Sequence, residues 1–215
     1  MSVSEDRLVE PSPTSPAPAP AIADPAPLGL AGFALTTFLL SAANANWMTH
    51  ATGAAFLGYA LAYGGGCQLL AGMWEFRNRN VFGATAFSTY GGFWIGLYFW
   101  FVVIASKAPA SAAGAVNKDV GWILLSFAVF NTYMLIMSTQ VNMAVFLVFL
   151  TLEATEIIDF IAKFMQGTAI TSGILQFGGY VGMVTALVAW YTSAAGVSNG
   201  IAGKIRLPVG KPLIA

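Results

Sequence analysis

One apolar stretch of this chain carries an unusual set of acid–base groups. Leu152, Glu156, Asp159 and Lys163 are spaced i, i+4, i+7 and i+11. On a helix they form one stripe, while Glu153 points about 100° away. Ionisable side chains inside such a stretch are costly and usually face a protein or water interior. Two readings are open. In one, Asp159 and Lys163 form an i, i+4 pair worth about 0.3 kcal/mol, and Glu156 bonds a neighbouring helix. In the other, Glu156, with Asp159 beside it, relays a proton. A second face has different chemistry. Phe33, Thr37, Leu40 and Asn44 repeat the same spacing. Hydroxyl and amide groups can donate hydrogen bonds to a carboxylate without the desolvation cost of a full charge. The alternative is that Thr37 bonds its own helix backbone and Asn44 joins two helices.

The elements that must position these groups follow from composition. Of 215 residues, 57% are hydrophobic and 8% charged, against about 25% charged in a soluble domain. Mean hydropathy is +0.73. Such a chain cannot cover a water-facing surface. Six runs approach the roughly 20 residues that a bilayer span needs: about 28–47, 51–74, 83–105, 120–138, 141–162 and 171–194. The fold class expected is all-α, a polytopic membrane protein of six transmembrane helices. The clearest breaks are Glu75 to Asn80 and Ser106 to Asp119. The break from Thr139 to Asn142 is short and implies a tight hairpin, and that at 163–170 is weak, so a five-span count competes.

Residues 1–27 hold seven of the ten prolines. Pro and Ala alternate there without an apolar period, a composition that cannot offset its ordering entropy. The expected organisation is a disordered Pro/Ala-rich tail and lead-in over 1–27, a six-helix domain over 28–198 and a short tail over 199–215. With both termini inside, cytoplasmic segments hold Arg7, Arg77, Arg79, Lys204, Arg206 and Lys211, against Lys107, Lys118 and Lys163 outside. That asymmetry favours cytoplasmic termini in a cell membrane.

Net charge is zero, which leaves no basic footprint for nucleic acid. His50, the only histidine, reads as an exposed interface residue in a short outer loop. Cys67, the only cysteine, reads as a packed small residue. No metal site or cofactor is expected. No Ser/His/Asp set and no phosphate-binding loop is present, so an enzyme is not expected. Gly92 and Gly96, and Gly178 and Gly182, form GxxxG pairs. These suit close packing within the chain or a subunit interface.

The first span opens with Asp24-Pro25-Ala26-Pro27-Leu28-Gly29-Leu30. Pro25 and Pro27 stop any preceding helix, and Pro27 suits a first helical turn. A longer set follows: Tyr63-Gly64-Gly65, Gln68, Ala71-Gly72, Glu75-Phe76, Phe82-Gly83, Thr85-Ala86-Phe87, Tyr90-Gly91 and Phe93-Trp94. These stretches resemble the motifs of the acetate uptake transporter family, which includes the succinate–acetate permeases. The family has Asn where this chain has Asp24. Beyond residue 120 the resemblance rests on span lengths and a few positions.

The resemblance implies transport of acetate and related short carboxylates, succinate among them, with proton coupling, through a path inside each protomer of a hexamer. It places a hydrophobic constriction at Phe33, Tyr90 and Leu152. Together with Thr37 and Asn44, Gln68 and Thr85 of the matched stretch are the candidate substrate-binding residues. Asp24, Pro25, Pro27, Leu28 and Gly29 are the motif residues. Glu156 and Asp159 remain the candidates for a proton relay, at positions where the family is mostly apolar. Partners implied are a small carboxylate, protons, lipid and copies of the chain. The competing functions are ammonia export, as proposed for some members of the wider family, and a non-transporting membrane sensor.

Overall fold

The computed structural model describes residues 22–48 and 53–214, so His50 and the Pro-rich segment before residue 22 lie outside the described residues. The described residues are helical, with no strand among them. Helix α1 is Ala26–Asn44. Helices α2 (Phe56–Leu61) and α3 (Gln68–Arg77) are joined by a π-helical turn, Ala62–Cys67, into one continuous pass. Then come α4 (Val81–Phe99), extended by a second π turn, Trp100–Ile104, and α5 (Ala113–Ser138), α6 (Met143–Met165) and α7 (Gly173–Ala202).

Six helical passes are thereby counted. Four stretches qualify as spans by length and apolarity alone: Ala26–Asn44, Val81–Lys107, Ala110–Ser138 and Gly173–Ala202. The second and fifth passes do not. The second holds Tyr63, Gly64, Gly65, Gly66 and Gln68 in its middle and ends in Glu75 and Arg77. The fifth, α6, carries Glu153, Glu156, Asp159 and Lys163. One boundary differs from expectation. The polar segment up to Asp119 is not all loop, because α5 begins at Ala113 and carries Lys118 and Asp119 on its first turns.

Helix starts are chemically defined. Asn80 accepts from the N–H of Gly83 at 3.1 Å, and Asn142 from that of Val145 at 2.9 Å. Each satisfies a donor that the helix itself leaves free. Ser172 does the same for Leu175. Helix α7 stops at Gly203, whose φ of 61° is left-handed and suits glycine.

Helices in lipid gain little from apolar burial against one another, so close backbone approach decides their packing. Gly179 lies against the α1 backbone. A Cβ there would sit 2.5 Å from both Ser41 O and Ala45 N. Gly178 and Gly182 face Asp159 and Ser41, so the α7 glycine face is interior. On α4, Gly91 abuts Leu69 of α3, whereas Gly92 and Gly96 point into open space. The two GxxxG pairs therefore differ: one packs the protomer, the other is exposed.

The first motif works as a seal. Pro27 O accepts from the Ser193 hydroxyl at 2.7 Å, and the Pro27 ring lies against Gly196. Gly29 lies against the Phe87 ring. The start of α1 and the last turns of α7 thus meet at one end of the bundle, called here the terminal end. The chain after α7 folds back there. Asn199 holds the backbone of Arg206 and Leu207, and Val209 O accepts from Ala144 N–H at 2.9 Å.

Candidate functional site

Three helices contribute a residue each to one narrow point. Phe33 of α1, Tyr90 of α4 and Leu152 of α6 line a single cavity of about 40 Å³ and are all buried. The Phe33 and Tyr90 rings meet edge to face, 5.8 Å between centroids, a favoured aromatic geometry. Phe93, Phe127 and Phe130 pack around Tyr90. The same cavity is lined by Thr37, Ser41, Thr155, Glu156 and Asp159.

A cavity of about 470 Å³ opens at the terminal end. Leu30, Phe87 and Phe149 line it. Each sits three residues, nearly one helical turn, before Phe33, Tyr90 or Leu152. Its polar wall is Asn78, Asn80, Asn142, Asn199, Thr192 and Asp24. The N-termini of α1, α4 and α6 all lie at this wall, and their partial positive charge favours an anion. Asp24 is the exception. Its Oδ1 accepts from Ala26 N–H at 2.9 Å just before α1, which sets a carboxylate at the mouth. At the opposite, far end lies a cavity of about 390 Å³ lined by Leu40, Asn44, Asn46, Leu124, Asp159, Lys163 and Thr171 among others. It shares Leu40, Leu124 and Asp159 with the narrow cavity.

The helix-one face therefore lines two of these cavities. Phe33, Thr37 and Leu40 line the narrow cavity, and Leu40 and Asn44 the far-end one. Thr37 does not bond its own backbone; its buried Oγ1 has no partner. Asn44 does join two helices, donating to Asp159 Oδ2 at 3.2 Å. Asp159 therefore takes its hydrogen bond from Asn44, not from the i, i+4 pairing with Lys163.

Two expected site residues fall elsewhere. Gln68 is buried, with Oε1 unpartnered, but lines none of these three cavities. Gln68 was named from the matched stretch, and it directly follows the π turn of the second pass. Thr85 also misses them. The lining face of α4 is Gly83, Phe87 and Tyr90, and Thr85 sits about 200° round from Gly83.

The structure adds a residue the sequence reading overlooked. Asn131 of α5 is fully buried. Its Nδ2 donates to Phe149 O at 3.0 Å and to Glu153 Oε2 at 2.7 Å. Its Oδ1 lies 3.1 Å from the Tyr90 hydroxyl, which in turn lies 3.2 Å from Glu156 Oε1. Thr132 donates to the other Glu153 oxygen at 2.8 Å. A lone amide in the middle of an apolar span was the available signal.

Comparison with known proteins identifies the family. The model of the GPR1/FUN34/yaaH family matches residues 7–211. The succinate-acetate/proton symporter SatP of Escherichia coli K12 is 32% identical over 191 residues, covering 88% of this chain and 96% of that protein. Ammonia transport outward protein 2 of Saccharomyces cerevisiae is 37% identical over 190 residues, and the chain spans 65% of its length. The solved structure of the bacterial acetate channel SatP superposes with a TM-score of 0.79 at 29% identity, covering 88% of this chain and all of that one. With a match of that extent, the chain belongs to the GPR1/FUN34/yaaH family, whose members are transporters and channels rather than enzymes.

Proposed function

We propose that the chain carries acetate and related short carboxylates, succinate among them, across a cell membrane in company with a proton. The observation that supports this is one neck, Phe33, Tyr90 and Leu152, between cavities at opposite ends of the helices. A carboxylate entering from the terminal end meets amide groups and helix N-termini. At the neck it must shed water, and an isolated charge pays heavily for that. A proton travelling with it removes the cost. Glu156 and Asp159, lining the cavity at the neck, are the groups assigned to hold that proton. Unpartnered Thr37 Oγ1 is the donor offered to the substrate there.

In this reading the protein has six spans with both termini cytoplasmic, and acts as a symporter or proton-linked anion channel. Gly92 and Gly96, open on the outer face of α4, offer the small-residue surface for a hexamer contact. The names of the bacterial relatives, a succinate-acetate/proton symporter and an acetate channel, support the substrate class.

Uptake of labelled acetate into proteoliposomes tests it. Entry should quicken when the outer solution is made more acidic, and absence of uptake at any pH overturns the reading. Ammonia is the second reading, supported by the name of the yeast relative. It would show as alkalinisation of the lumen by ammonium, unaffected by acetate. A further result is expected at the mouth. Asp24→Asn keeps an oxygen for the Ala26 N–H and removes the charge. It should raise acetate flux severalfold at low ionic strength. The gain should shrink near 0.15 M salt, where the Debye length is about 8 Å. Equal fluxes at low salt would show that Asp24 does not face the anion.

A further inference from the structure

The hydrogen bonds around Tyr90 can be counted, and the count locates a proton. Asn131 has a settled orientation. The carbonyl of Phe149, 3.0 Å away, can only accept, so the Asn131 atom facing it is Nδ2. Oδ1 therefore faces the Tyr90 hydroxyl at 3.1 Å and can only accept. The hydroxyl owns one hydrogen, yet it has a second oxygen, Glu156 Oε1, at 3.2 Å. With the Tyr90 hydrogen on Asn131, the contact to Glu156 is a hydrogen bond only if Glu156 supplies the hydrogen. Every group is then satisfied in one direction: Glu156 O–H to Tyr90 O, and Tyr90 O–H to Asn131 Oδ1. With Glu156 ionised, Tyr90 must turn its hydrogen to the carboxylate, and the fully buried Asn131 Oδ1 is left with no donor. The second Glu156 oxygen is already buried without a partner, which further disfavours a charge.

We infer that Asn131 is a positioning residue for the coupled proton: by holding the hydrogen of the neck tyrosine it keeps Glu156 protonated, and Glu153 holds Asn131 in that orientation. This rests on the proton-coupled reading above and goes beyond it by assigning what sets the proton's occupancy. Release is a simple exchange. The Glu156 O–H bond breaks, the proton passes to water in the narrow cavity toward Asp159, and the Tyr90 hydroxyl rotates to donate to the new carboxylate. No bond of Tyr90 breaks. The cavity of about 40 Å³ has room for the water. The titratable groups around Glu156 are Tyr90 from α4 and Asp159 from α6, with Glu153 turned to Asn131 and Thr132 and Lys163 a further turn along. Helices α1, α5 and α7 present Thr37, Asn131 and Thr185, which do not titrate, and Tyr133 of α5 is half exposed.

The test is infrared spectroscopy of the full chain in lipid, following the C=O stretch of a protonated carboxylic acid against pH. The band of Glu156 is identified by its loss in Glu156→Gln. Two variants should move its titration in opposite directions. Asn131→Leu removes the competing acceptor, freeing Tyr90 to stabilise the carboxylate, so Glu156 should ionise about half a pH unit or more lower. Tyr90→Phe removes the donor to the carboxylate, so Glu156 should ionise higher by a similar amount. Opposite shifts support the assignment. Absence of a Glu156 band, or shifts of the same sign, overturns it. If Asn131→Leu does not fold, the upward shift in Tyr90→Phe decides. The band shifts do not depend on acetate uptake. Opposite shifts with pH-independent acetate flux would therefore reject the coupling reading alone and leave the role of Asn131 standing.

Discussion

Leu152→Ala should raise the flux of butyrate relative to acetate by about tenfold or more. Leu152 closes the neck from α6, opposite the Phe33 and Tyr90 rings, around a cavity of about 40 Å³. In the proposed transport path, truncation to Ala widens the place where a longer tail must squeeze past. One methylene more or less in an apolar pocket is worth roughly 10–200-fold in discrimination, and Leu→Ala removes three carbons. Phe33→Ala should act in the same direction, and the two together more strongly. The cost is in packing, because a cavity left by Leu→Ala destabilises a core by about 2–5 kcal/mol. Relative uptake of labelled acetate and butyrate in proteoliposomes reads the effect independently of expression level. An unchanged ratio in both variants would take Leu152 and Phe33 off the path.

The second large effect is on assembly of the helices. Gly179→Ala should lower the thermal unfolding midpoint of the detergent-solubilised protein, at a cost of about 1–3 kcal/mol. The added methyl would sit 2.5 Å from Ser41 O and Ala45 N. Both are backbone atoms, so neither can swing away, and α1 and α7 must separate. That separation strains the Ser193 to Pro27 hydrogen bond at the terminal end and the seating of Phe33 at the neck. Gly92→Ala and Gly96→Ala are the controls. Nothing lies within 4 Å of the Cβ that either would add, so each should leave the protomer's unfolding within about 0.5 kcal/mol. If the protein assembles in detergent and either change breaks that assembly, the open α4 face is the subunit contact. A Gly179→Ala protein that melts like wild type would contradict the close approach of α1 and α7.

These two predictions draw on different depths of information. The face of α1 was readable from spacing alone, because Phe33, Thr37, Leu40 and Asn44 recur on one helix and helical phase is a local property. So was the α6 stripe: Leu152, Glu156 and Asp159 do line one cavity, while Glu153 turns aside to Asn131 and Thr132. The motif prolines and Gly29 were recognisable as a helix start, and the structure shows them sealed against α7 and α4. Gln68 was named from the matched stretch, and the structure leaves it out of all three cavities. All six apolar runs were legible in the sequence, although only four of the helices that they form qualify as spans by length and apolarity alone.

By itself, the sequence determined a helical membrane protein, the residues sharing each helix face, and the family resemblance from Pro25 to Trp94. Spacing along one helix is set by a repeat of 3.6 residues, and nothing distant alters it. Only the tertiary structure decided which faces meet. Glycine contacts such as Gly179 on α1 set how near the helices come, and that distance brings Asn131 of α5 to Tyr90 of α4 and Glu156 of α6. Those three groups are 25 to 66 positions apart in the chain. Their hydrogen bonds depend on ångström-scale placement of separate helices, a quantity that no local pattern carries.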